Sequence, residues 1–316
     1  MVAQRTTAST REAYGKTLLS MAEEYPSIVV LGGDLNVSVF THLWRDQYPD
    51  RFFDFGPAEQ NIIGVGAGLA ASGKIPFVST FSVFGVCRPF DQLRVLVSQP
   101  KLNLKLVCTH AGILTGEDGM SAHGIEDLAL TCALPSFTVV CPADAIETAQ
   151  AVRAAVDVDG PFYIRLSRAA IPVVHQEGYQ FNLGQAEVMR PGHDVSIIAM
   201  GVMVSVGLDA AELLGQQGVS VRVVNLHTLK PVDREAIIAC AEQTGAIVTA
   251  EEHYIHGGLG SIVSQVVGQN QPVPVEMVAL QGYNESGSAQ ELMVKAGLTP
   301  EAVAKAALKA LKRKRG

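Results

Sequence analysis

The 316-residue sequence is short of charge and of aromatic side chains. Asp, Glu, Lys and Arg together make up 17%, and Phe, Trp and Tyr 6% with a single tryptophan. A hydrophobic content of 48% supplies a large core, with enough left over to bury surface against another subunit. Basic charge is scarcer still. The formal charge is −7, and the one basic run is Lys312-Arg313-Lys314-Arg315, which reads as a solvated helix end. That balance argues against a nucleic-acid partner. Five cysteines (Cys87, Cys108, Cys132, Cys141 and Cys240) lie apart with no CxxC pair. An odd, scattered set suits free thiols in a reducing compartment better than a disulfide framework. No apolar run approaches the ~20 residues of a membrane span, and the first residues lack a signal pattern. The expectation is a soluble, cytoplasmic protein with no membrane partner.

What is present is alternation. Helical patterns over 11–24, 59–72, 90–98 and 143–158 interleave with short apolar runs at 28–31, 51–55, 77–79, 104–109, 138–141 and 162–166. Such alternation predicts parallel βαβ units with helices on both faces. Pro172, Gly178, Gly184, Pro191 and Gly192 interrupt it. A second round follows, with strands at 195–199, 221–225, 246–249 and 275–278 and helices at 204–216, 233–242, 259–267 and 300–312. The predicted fold class is therefore α/β: two doubly wound domains, the first with a mainly parallel sheet over residues 1–178, a linker over 179–192, and a smaller domain over 193–316.

The most informative stretch is DFGPAEQN, Asp54 to Asn61. It sets Glu59 between a strand and a helix that opens Gly64-Val65-Gly66-Ala67-Gly68. A carboxylate at such a junction, among small residues, is placed for burial, which raises a carboxyl pKa and suits it to proton exchange. The bland reading is a first-turn carboxylate meeting the helix dipole. The glycines resemble a dinucleotide fingerprint, but they fall inside the helix rather than before it. The next strand ends in Ser79-Thr80 with no acid, so close helix packing is the reading they support. Phe81 and Phe84 stand three apart, as core aromatics or as faces for a flat ligand. The segment from His110 to Asp127 crowds Glu117, Asp118, His123 and Glu126 beside four glycines. That composition suits substrate handling at the carboxyl end of a parallel sheet. Neither this segment nor Glu251-Glu252-His253 with His256 has the spacing of a metal motif.

Taken together, DFGPAEQN, TFSVF (Thr80–Phe84), THAGILTGEDG (Thr109–Gly119), IRLSR (Ile164–Arg168) and AEEHYIHGGLG (Ala250–Gly260) resemble the transketolase-type thiamine-diphosphate enzymes, in order and over nearly the whole chain. The resemblance implies a pyrimidine-binding domain followed by a transketolase C-terminal domain. It implies that Glu59 hydrogen-bonds a nitrogen of the cofactor's aminopyrimidine, and that Phe81 and Phe84 line its pocket. It further implies that His110 and Asp118 contact the hydroxyls of a sugar substrate, His110 also counting among the catalytic groups. Arg168 and Ser38 would stand at the phosphate of a sugar phosphate, with Asp34 a weaker candidate. One departure is plain. Where the family reads Thr-His-Gln, this chain has Ser121-Ala122-His123, so that His123 fills the gap from a shifted angle or the acceptor sugar differs.

The family's diphosphate and magnesium site carries a Gly-Asp-Gly, and none occurs here. The resemblance therefore implies a split enzyme. Thiamine diphosphate would be shared with a separate N-terminal subunit that holds the diphosphate and Mg2+, in a two-plus-two heterotetramer, to move a two-carbon ketol unit between sugar phosphates. The beta subunit of a 2-oxo-acid dehydrogenase and a non-catalytic regulatory subunit are the competing expectations.

Overall fold

A computed structural model describes residues 5–315; residues 1–4 and 316, which the expected domain limits include, lie outside the described residues. The chain opens with β1 (Thr7–Ala8) and α1 (Thr10–Ser20), capped by Ser9, whose Oγ accepts from the Glu12 N–H at 3.2 Å. There follow β2 (Ile28–Gly32), α2 (His42–Gln47), β3 (Phe52–Asp54), α3 (Glu59–Ala71), β4 (Ile75–Phe81), α4 (Phe90–Gln92), β5 (Lys105–Thr109), α5 (Asp127–Ala133), β6 (Thr138–Val140), α6 (Ala145–Asp157), β7 (Phe162–Arg165) and β8 (Ile171–Pro172). Val83–Cys87 and Leu93–Ser98 are π-helical, so the single helix expected over 90–98 is a short α-turn running into a wider coil.

Six of these strands form a parallel sheet in the order β6-β7-β5-β4-β2-β3. The chain leaves β2 for β3 on one side and returns to β4 on the other. In an open parallel sheet that reversal leaves a crevice beyond the carboxyl ends of the strands. Both faces are covered. Tyr14 and Leu18 of α1 and Ala151 and Val152 of α6 pack on one side, and Ile62, Ile63 and Ala67 of α3 on the other. Within α3 it is Gly66 that needs to be glycine: a Cβ there would meet Leu104 Cδ1 at 2.9 Å, while Gly64 and Gly68 have open space. The run lies inside the helix, as its position predicted, and close packing accounts for Gly66 alone.

The second domain holds β9 (Glu187–Arg190), β10 (Val195–Ala199), α7 (Met203–Gly215), β11 (Val221–Asn225), β12 (Thr228–Lys230), α8 (Arg234–Thr244), β13 (Ile247–Tyr254), α9 (Leu259–Asn270), β14 (Val275–Leu280), α10 (Ala289–Lys295) and α11 (Pro300–Arg315). Its sheet runs β14-β13-β10-β11-β9, with β9 antiparallel at the edge. The stretch 179–192, expected to be a bare linker, therefore contributes a strand. β12 crosses back and pairs antiparallel with β6, extending the first sheet to seven strands. One apolar cluster runs through both domains, from Leu31 and Ile62 to Val224, Ile237 and Val263. The basic run at the end of α11 is anchored rather than frayed. Arg313 pairs with Glu276 at 2.7 Å, and Lys314 Nζ donates to the Thr244 carbonyl at the end of α8 at 2.7 Å. Among the described residues no helix is long and apolar enough to cross a membrane.

Candidate active site

The crevice collects side chains from five strand ends. Ser38 follows β2, Glu59 follows β3, Phe81 ends β4 with Phe84 just beyond it, His110 follows β5, and Arg168 follows β7. Residues spread over 130 positions of chain thus share one edge because each lies at or shortly after the carboxyl end of a strand in the parallel sheet.

Glu59 is the first residue of α3, and its side chain is 6% exposed. Burial places it as the sequence predicted, but not among apolar groups alone. Arg88 Nη1 donates to Glu59 Oε1 at 2.9 Å, and its guanidinium carbon lies 4.0 Å from the Phe84 ring centroid. Phe84 in turn is near-parallel to Phe81, with centroids 5.7 Å apart. Phe81 stacks on the His110 ring at 3.5 Å and 15°. His110 holds a left-handed backbone (φ 55°), an uncommon conformation for a residue other than glycine. Thr109 Oγ1 lies 2.8 Å from its Nδ1, and Thr115 Oγ1 donates to its carbonyl at 2.8 Å. Burial, with the nearby charges of Arg11 and Arg168, pushes the His110 imidazole down to about 3. It is a neutral ring at any working pH, a hydrogen-bonding group rather than a cation.

A second group is cationic. Arg11 Nη1 donates to the Ser38 carbonyl at 2.6 Å, and its Nε is buried with no partner. Burial and the neighbouring Arg168 pull the Arg11 pKa below its ordinary value. Arg168 is half-buried, its nearest carboxylate being the exposed Glu117 at 3.6 Å. Two guanidinium groups thus lie close together with no buried acid paired to either among the described residues. Asp118 is exposed at the end of the 3₁₀ segment Ile113–Asp118. His123 is buried below that segment, its Nε2 donating to the Gly116 carbonyl at 2.9 Å while Nδ1 has no partner. It braces the loop from beneath, and Ala122 beside it is buried too. Arg11 and Arg88 are additions that sequence reasoning missed. The available signals were slight: Arg88 lies one helical turn after Phe84, and Arg11 follows the cap residue Ser9 by two.

Two buried charge clusters join the domains behind the crevice. Arg165, at the end of β7, donates through Nε to Asp127 Oδ2 at 2.9 Å and through Nη2 to the Glu252 carbonyl at 2.9 Å. Glu252 Oε1 accepts from the Leu114 N–H at 2.7 Å, and burial raises its carboxyl to about 7 in spite of Arg165. Glu251 caps α9, accepting from the N–H groups of Leu259 and Gly260. These acids are committed to structure. The other cluster lies under 174–187, where His175 Nδ1 meets Asp144 Oδ2 at 2.9 Å and Nε2 meets Glu187 Oε2 at 3.0 Å. Glu147, His175 and Glu187 bring ligand-type atoms within 4.8 Å of one another. Both ring nitrogens already face carboxylates, so the arrangement is that of a protonated histidine tying the domains together.

Comparisons with known proteins bear on the family and the fold. A family model described as the transketolase pyrimidine-binding domain matches residues 6–173, and one for the transketolase C-terminal domain matches residues 184–303. A putative transketolase C-terminal section from Methanocaldococcus jannaschii is 38% identical over 307 residues, covering 96% of each chain. A 6-deoxy-6-sulfo-D-fructose transketolase subunit from Clostridium sp. (strain MSTE9) is 39% identical over 305 residues, covering 96% of this chain and 95% of its own. Among solved structures, one described as a split gene transketolase, inactive beta4 tetramer, is 45% identical. It superposes with a TM-score of 0.91 over 97% of this chain and 99% of its own. Against longer relatives named transketolase, the chain spans about half their length.

Proposed function

The chain belongs to the transketolase family, and on that premise we propose that it is the pyrimidine-side subunit of a two-component transketolase. A separate N-terminal subunit would hold the diphosphate and Mg2+, and the pair, assembled as a heterotetramer, transfers a two-carbon ketol unit between sugar phosphates. The observation that carries this reading is the buried Glu59 carboxylate beside the near-parallel Phe81 and Phe84 rings at the mouth of the crevice. A carboxylate at the edge of an aromatic slot fits a flat heterocycle with a ring nitrogen at its rim: the slot supplies stacking and the acid a hydrogen bond. When bound, thiamine diphosphate supplies the nucleophilic carbon and the electron sink for cleavage of a carbon–carbon bond.

The chain's own groups do the rest. Glu59 exchanges a proton with the ring nitrogen. Glutamine at that position could still accept a hydrogen bond but could not give up a proton. His110 stays neutral. With the Thr109 hydroxyl donating to Nδ1, its Nε2–H is free to donate to a substrate hydroxyl or carbonyl oxygen. Arg11, Arg168 and the Ser38 segment form the cradle for the anionic end of the substrate, where guanidinium forks match a phosphate or a sulfonate. Asp118, exposed at the loop tip, is placed to accept from a sugar hydroxyl. His123 acts through the loop, and its free Nδ1 is what remains to it for a ligand.

Relatives of the same length support the split. One is named as a C-terminal section and another as a subunit, and the similar solved chain is described as an inactive tetramer of its own kind. The test is Glu59→Gln in the assembled pair. Loss of the proton-exchanging group should cost on the order of 10²–10⁴ in turnover with the fold intact. Turnover within about threefold of the unmodified pair would refute a role in proton transfer.

A further inference from the structure

One side chain already occupies both surfaces that a stacked pyrimidine would need. Arg88 leaves the π-helical stretch Val83–Cys87 at its carboxyl end. Its Nη1 takes Glu59 Oε1 at 2.9 Å, and its guanidinium covers the Phe84 ring at 4.0 Å. A plane at that height fills the layer a stacked heterocycle would occupy. Arg88 holds one of the two Glu59 oxygens and leaves the other able to meet a ring nitrogen. It is over the Phe84 face that guanidinium and heterocycle exclude each other.

The contact is built for release. The Glu59 side chain is 6% exposed and Arg88 49%, so only the carboxylate is trapped. The Arg88 backbone is held by Gln60, whose Nε2 donates to the Arg88 carbonyl at 3.3 Å, while the side chain has solvent to swing into. The Arg88 end of the pair is therefore the one free to leave for solvent. What the pair does accomplish is to keep a buried acid from standing unpartnered.

We propose that Arg88 is a positioning residue and a placeholder. In the chain on its own it holds the Glu59 carboxylate and covers the Phe84 face, and it has to swing out before a heteroaromatic ring can take both. The inference rests on the reading of this pocket as the pyrimidine site. Its consequence is a population effect: if Arg88 covers the slot in about nine molecules of ten, the apparent affinity for the ring falls about tenfold.

The probe is thiamine itself, which lacks the diphosphate that the partner would grip. Titration calorimetry of the full-length isolated chain should show Arg88→Ala binding thiamine about tenfold more tightly than the unmodified chain. Arg88→Lys, which keeps a cation near Glu59 but loses the planar cover, should lie between. Thiamine diphosphate on the assembled pair should follow the same order. The free Arg88→Ala chain should also melt at a lower temperature, since Glu59 is left without a partner. Equal or weaker binding by Arg88→Ala, in the isolated chain and in the pair alike, overturns the proposal. Failure of the pocket reading looks different: Phe84→Ala would then leave thiamine binding unchanged, and Glu59→Gln would leave turnover of the pair unchanged.

Discussion

Replacing Arg165 with methionine removes one pole of the cluster that ties the crevice loop to the second domain. Its Nε donates to both oxygens of Asp127, at 2.9 and 3.3 Å, and its Nη2 to the carbonyls of Glu252 and Gly124, at 2.9 and 3.3 Å. Asp127 is 0% exposed, and its remaining side-chain donor is the Tyr163 hydroxyl at 2.6 Å. Methionine keeps much of the volume and none of the donors. Breaking a buried pair by removing one partner costs about 3–5 kcal/mol, and two carbonyls losing a donor move the value toward the top of that range. At roughly 2 °C per kcal/mol for a chain of this size, the melting temperature should fall by roughly 6–10 °C. The double variant Arg165→Met/Asp127→Leu removes both charges together, and apolar replacement of a whole buried pair is often close to neutral. It should therefore be more stable than Arg165→Met alone, which a four-member cycle in urea would measure. A loss below about 1 kcal/mol for Arg165→Met, or a double variant no better than that single one, would refute the reasoning. The effect reaches the site because Gly124, on the crevice loop, bonds through its carbonyl to the Ala111–Gly112 turn at 2.8 Å.

Two further outcomes follow from the same geometry. For His175, burial pulls the imidazole down, but Asp144, Glu147 and Glu187 outweigh it and carry it to about 9. The folded pKa lies above the unfolded value of about 6.5, so its stabilisation is complete below that pH and is lost as pH rises through about 9. The stability difference between the unmodified chain and His175→Gln should thus shrink by up to about 3 kcal/mol between about pH 6 and pH 10. Melting curves at graded pH check it, and a flat difference across that window would sink the latch. Arg168→Ala should raise KM for a phosphorylated ketose about 10–100-fold, the loss of one or two charge-assisted hydrogen bonds, and leave an unphosphorylated donor nearly unaffected. Steady-state kinetics on the assembled pair would decide, and an equal loss for both donors would count against the anion cradle.

The sequence was most legible where chemistry and local pattern coincide. Glu59 declares itself because a strand, a turn with Gly56 and Pro57, and a glycine-bearing helix follow one another without a gap, and α3 begins at that residue. The alternation of apolar runs gives the parallel sheet, and the sheet gives the crevice. Illegible were the contacts that join distant positions. Nothing near Arg88 announces that it meets a carboxylate 29 residues earlier, and nothing near Asp127 announces Arg165, 38 residues on. β9 and β12 were lost for a related reason. Each is three or four residues long and lies in a segment with turn-forming residues, and each exists only because a neighbouring sheet edge is open to pair with it. The same limit explains the expectation for Glu59. Local composition predicts an acid buried among small residues, whereas the fold delivers one that has exchanged solvent for an arginine.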